Sequence, residues 1–98
     1  MKVYELGSPG ARAFEVDNLR LHGGLLGRIL ESVPGVTDVR LKQSTFSRDE
    51  IRAHFRFQGV PFIVWEPFGD NSRYWIGPDT QDVPPPDLRP LIRAFEEH

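Results

Sequence analysis

Apolar and polar positions along this chain change period several times, and each change marks an element. The opening residues, Met1 to Leu6, read as a strand closed by a turn at Ser8-Pro9-Gly10. Ala13-Phe14-Glu15-Val16 alternates briefly, as the return arm of a first hairpin would. His22, Leu26, Ile29, Leu30 and Val33 then recur at the spacing of a core-facing helix, with Asp17 or Asn18 as N-cap. Pro34 and Gly35 end that helix. Its start is ambiguous, because Gly23, Gly24 and Gly27 each cost roughly 1 kcal/mol relative to alanine inside a helix. Either the helix begins near Gly24, or the glycines let its backbone approach a sheet closely.

From Thr37 to Lys42 the alternation is strict, with Val39 and Leu41 inward and Arg40 and Lys42 outward. Ser47 and Glu50 form a capping box, yet Ala53-His54-Phe55-Arg56-Phe57 alternates as a strand does. One helical turn followed by a strand from about Arg52 reconciles the two; a helix over 48–55 competes with it. Gln58-Gly59 lies between two alternating runs, the spacing of a two-residue hairpin. That register sets Phe57 against Val60, Phe55 against Phe62 and Ala53 against Val64 on the core side. Arg56–Pro61, His54–Ile63 and Arg52–Trp65 then pair on the other face. A strand returns over Arg73-Tyr74-Trp75-Ile76. Asp87 caps a last helix in which Leu88, Leu91, Ile92 and Phe95 share one face, with Pro90 in its first turn.

The sum is an α+β fold, roughly β(β)αβββα: an antiparallel meander of four or five strands with two helices packed on one face. The helix–Pro34-Gly35-Val36–strand junction resembles that of ferredoxin-like modules, including heavy-metal-associated domains, whose metal-binding cysteine pair is missing here.

Length and composition narrow the picture. At 98 residues the chain has room for one core, a single domain over 1–98. It has no cysteine, no apolar run long enough to span a bilayer, and an acid at Glu5 where a secretory signal is apolar. These features point to a cytoplasmic protein without a membrane role. The formal charge of −2 weighs against a dedicated duplex-DNA binder. Cations nevertheless gather locally at Arg40, Lys42, Arg48, Arg52 and Arg56.

Candidate chemistry is sparse. His22, His54 and His98 lack the companions that zinc requires, so no metal is expected, and no cofactor either. Gly23-Gly24-Leu25-Leu26-Gly27 lacks the Lys-Ser/Thr of a phosphate loop, and helix packing accounts for it. Glu66, Asp70, Arg73 and Tyr74 would make an enzyme site only if they converged beside a pocket; as turn formers and a Glu66–Arg73 pair they are structural.

The open sheet face is the strongest candidate surface. Arg40, Arg52, His54 and Arg56 are expected beside Trp65 and Trp75, with Arg73 at the 67–73 hairpin tip. Arginine and tryptophan dominate protein interfaces, so the leading expectation is a non-enzymatic interaction domain binding another protein or a second copy. The alternative is a weak single-stranded nucleic-acid binder, since cations hold phosphates while rings stack on bases. The same cross-strand pairs also stabilise a sheet without any partner.

Overall fold

The computed structural model describes residues 1–7, 12–17, 24–41, 51–66, 73–80 and 84–98. Its elements are β1 (Val3–Leu6), β2 (Ala13–Asp17), α1 (Leu25–Glu31), β3 (Val36–Leu41), β4 (Ile51–Phe57), β5 (Val60–Trp65), β6 (Arg73–Pro78) and α2 (Arg89–Glu96). The six strands form one antiparallel sheet in the order β1-β2-β6-β5-β4-β3. The fold class is α+β as expected, but the sheet has six strands rather than four or five. Only β3 to β6 run as a meander. The β1–β2 hairpin joins it through β2 against β6, an addition that short alternating runs cannot announce.

Every sheet pairing is antiparallel, so β2 and β3, at opposite sides of β6, β5 and β4, point the same way. The connection through α1 therefore passes three strands. A ferredoxin-like split β-α-β unit leaves room for one, and the resemblance at Pro34-Gly35 does not extend to the topology.

The Gln58-Gly59 turn has positive φ at both residues, 52° and 80°, the geometry whose twist matches a hairpin. It locks Phe57 to Val60, Phe55 to Phe62 and Ala53 to Val64, as the alternation requires. Residues 42–50 lie outside the described set, but β4 is a strand from Ile51 onward, and a helix over 48–55 does not form there.

Phe14, Val16, Ala53, Phe55, Phe57, Phe62, Val64 and Ile76 meet Leu26, Ile29, Leu30 and Val33 from the first helical segment. Leu88, Leu91, Ile92 and Phe95 complete the core. Phe14 and Phe95 pack edge-on with ring centroids 5.6 Å apart, tying β2 to α2. Burial of these side chains, about 1.5–3 kcal/mol for each large one, drives the two short helices onto the sheet. Leu41 lies opposite Ala53 on the helix side, as expected. It contacts α1 at Gly27, where a Cβ would come within 2.8 Å of its Cδ1, yet stays 39% exposed at the sheet edge.

Two caps differ from expectation. Asp17 belongs to β2, and Gly24 precedes α1 instead; Asn18 and His22 lie outside the described residues. Asp87 accepts the backbone N–H of Arg89 at 3.0 Å and holds its guanidinium as well, although Leu88 occupies the N-cap position. No helix among the described residues is long and apolar enough to cross a membrane.

Candidate functional site

Both helices pack on one face of the sheet, so the opposite face is where the expected site residues must be found. Strand pairing assigns that face directly. In β5 it holds Pro61, Ile63 and Trp65, because Phe62 and Val64 face the core. In β4 it holds His54 and Arg56, and in β6 Arg73, Trp75 and Gly77. β2 adds Ala13, Glu15 and Asp17, and β1 adds Tyr4. At the far edge, β3 contributes Thr37 opposite Arg56 and Arg40 opposite His54.

Thr37 and Arg40 share a face although they are three residues apart, because β3 carries an irregularity between them. Asp38 lies there with φ of 54°, a conformation aspartate tolerates better than most side chains. The kink twists the edge strand and makes it a poor template for further strand pairing.

Arg40, His54 and Arg56 come together, as expected. With Asp38 and Pro61 they line an open groove of about 370 Å³ that also reaches Phe55 and Phe62. Arg56 approaches Asp38 at 3.6 Å, both side chains being more than half exposed, so the pair is worth little. Neither Arg40 nor His54 has a hydrogen-bonding or ion-pair partner among the described residues.

Trp65 and Trp75 are cross-strand neighbours, packed edge-on with centroids 6.1 Å apart. Trp65 is 37% exposed and Trp75 half-buried. The Trp75 ring lies over Gly77, where a Cβ would come within 2.6 Å of its Cη2 and 2.8 Å of the Ala13 Cβ. Ala13, 5% exposed, shares that crowded spot at Gly77 on the side of the sheet away from the two described helices.

Arg52 does not belong to this surface. A register shift between Ile51 and Ala53 sets Ile51, not Arg52, opposite Trp65. The extra residue turns Arg52 to Glu66, which accepts from Nε at 2.7 Å and pairs with Nη2 at 2.6 Å. Glu66, just past the end of β5, is only 4% exposed and lies near Tyr74. Burial, then the nearby Glu66 carboxylate, push the Tyr74 hydroxyl above its ordinary pKa, while Arg52 opposes them.

The expected Glu66–Arg73 pair is likewise replaced. Arg73 faces the opposite side of the sheet, bonded to Glu15 at 3.4 Å, 3.7 Å from Asp17, and 3.8 Å above the Tyr4 ring centroid. Glu66 with Tyr74, which is on the core side, and Arg73 on the open side therefore do not converge, and Asp70, with the rest of the 67–72 tip, lies outside the described residues. No group of three or more His, Cys, Asp or Glu side chains is placed to hold a metal ion among the described residues.

Sequence reasoning missed Tyr4, Glu15 and Asp17 as members of this face, because the β2–β6 pairing that places them joins segments far apart in the chain. It also missed Asp38, for which the only local signal is its tolerance of positive φ. Set against protein-family models, curated proteins and solved structures, the chain matches nothing in any of the three comparisons.

Proposed function

We propose that this chain is a non-enzymatic protein-interaction domain whose partner surface is the open face of its sheet, working in the cytoplasm. The carrying observation is the row Pro61, Ile63, Trp65 and Trp75, crossed by no described element and flanked by Arg40 and His54, which have no ion-pair partner among the described residues. Apolar and aromatic side chains at the centre with cations at the rim make the composition of an interface hot spot. The site residues that belong to the reading are Arg40, His54, Arg56, Trp65 and Trp75; Arg52 and Arg73 are engaged in intramolecular pairs.

Co-purification from native lysate, with wild-type chain compared against Trp65→Ala, tests it. Proteins retained by the wild type and lost with Trp65→Ala support the reading. A monodisperse monomer that retains nothing, or retains the same proteins with and without Trp65, overturns it. A second reading draws on the same groove: single-stranded nucleic acid with phosphates on Arg40, His54 and Arg56 and a base against Trp65. It requires binding that weakens steeply with salt, and an unchanged anisotropy of labelled oligonucleotides at low salt removes it.

A further inference from the structure

The four arginines on or beside this sheet end differ in what they already hold. Arg52 is spent on buried Glu66, and Arg73 sits between Glu15, Asp17 and the Tyr4 ring. Among the described residues Arg56 pairs with the exposed Asp38 carboxylate, at 3.6 Å, and Arg40 has no partner. Exposed pairs of that length exchange readily for a better one. Among its described lining residues the groove thus presents two guanidinium groups and the His54 imidazole against the Asp38 carboxylate, with Asp79 beside Pro61 at its end.

Along β5 the surface changes character in one direction. Pro61 lies beside Arg56, Ile63 beside His54, and Trp65 beside Ile51 and Trp75. The cationic end and the aromatic end are four residues apart on one strand, about 13 Å at 3.3 Å per residue. An extended segment of four or five residues spans that distance.

From this gradient we infer that the occupant of the open face is a short extended segment of a partner protein, acidic at one end and aromatic or aliphatic at the other. Its carboxylates take bidentate positions on Arg40 and Arg56, and its apolar end rests on Ile63, Trp65 and Trp75. The inference rests on the reading of this face as a protein-binding surface and names the chemistry of what it binds.

Nucleic acid fits the same face less well. A phosphate backbone continuing across it would meet Asp38 at one side and Glu15 and Asp17 at the other. Trp65 and Trp75 pack edge-on against each other and part of the Trp75 ring lies against Gly77, an arrangement that favours contact along the ring edges over insertion of bases between the rings. A second copy offers little acid in return. Among the described carboxylates of the open face, Asp38, Glu15 and Asp17 already face Arg56 or Arg73, which leaves Asp79, bonded through its backbone N–H to the Pro61 carbonyl, as the acid a two-fold pairing would bring to Arg40.

Selection of random short peptides displayed on phage against the intact chain tests the inference. Selected sequences should carry Asp or Glu clustered next to Trp, Phe, Leu or Ile. A labelled synthetic copy of the best one should bind at least about tenfold more weakly to Arg40→Ala/Arg56→Ala and to Trp65→Ala, as loss of charge-assisted hydrogen bonds or an aromatic anchor requires. Arg28→Ala, at an exposed position of α1, removes the same charge elsewhere and should leave affinity within about twofold. Circular dichroism of each variant separates lost binding from lost folding.

Selected peptides without acidic enrichment, or binding indifferent to Arg40 and Arg56, overturn the inference. Displacement of the peptide by an equal concentration of oligo-dT overturns it in favour of nucleic acid, and a dimer broken by Trp65→Ala overturns it in favour of a second copy. If lysate partners depend on Trp65 while peptide selection shows no acidic preference, the interaction surface stands and only its acidic specificity fails.

Discussion

On the helix side of the sheet, Phe14, Phe55, Phe57, Phe62 and Ile76 are all at most 2% exposed and lock against α1 and α2. On the other side the same strands turn out Glu15, His54, Arg56, Pro61, Ile63, Trp65 and Trp75, none of them fully buried. One face is interchangeable in chemistry but strict in shape. The other is loose in shape and specific in chemistry. Within the open face the contrast repeats: the β1–β2–β6 side satisfies its charges internally around Arg73, while on the β3–β4–β5 side Arg40 and His54 have no ion-pair partner among the described residues.

If that division is right, substitutions should separate stability from binding. The largest loss should follow Phe62→Ala, which opens a cavity between Phe55 and Phe57; about 3–5 kcal/mol of unfolding free energy should disappear in urea titration. Arg52→Ala comes next, at about 2 kcal/mol, because it takes the guanidinium away from the buried Glu66 carboxylate. The penalty is reduced by the partial exposure of Arg52, and adding Glu66→Gln should recover most of it in a double-mutant cycle. If Arg52 instead proves silent in stability and active in binding, its separation from the open face fails.

Trp65→Ala should cost about 1 kcal/mol, the value of an edge-on aromatic pair on a partly exposed surface, while its effect on partner retention is complete. A smaller effect is confined to alkaline pH. Tyr74 has its pKa raised in the folded state, so the contribution of its neutral hydroxyl is whole below the unfolded value near pH 10 and is lost as pH climbs through the folded one. Tyr74→Phe should flatten that alkaline decline, measured as melting temperature against pH. Last, Arg40→Ala should change stability by no more than about 0.5 kcal/mol, since the side chain is exposed, and should be felt only in binding.

Much of the covered face was legible locally. Period-two alternation in 53–57 and 60–64, with a two-residue turn whose second residue is glycine, leaves one register that buries the phenylalanines. The last helix was equally plain from Leu88, Leu91, Ile92 and Phe95. The open face was legible in outline, since Arg40, His54, Arg56, Trp65 and Trp75 follow from the same alternation. Arg52 was misplaced because a single inserted residue in β4 shifts the pattern without altering residue type, and alternation cannot reveal a bulge.

What the sequence determined by itself is therefore the set of things that neighbours along the chain decide: strand periods, the hairpin turn, the helix stripes and the residues that must avoid water. Tertiary structure alone decided that β2 joins β6, which completes six strands, surrounds Arg73 with Glu15, Asp17 and Tyr4, and seats Trp75 over Gly77 and Ala13. The reason is physical. Periodicity tells each strand which face to bury, but not which distant strand it will lie beside. That choice belongs to the packing of the whole core, and with it goes the question of which charges are consumed inside the molecule and which remain for a partner.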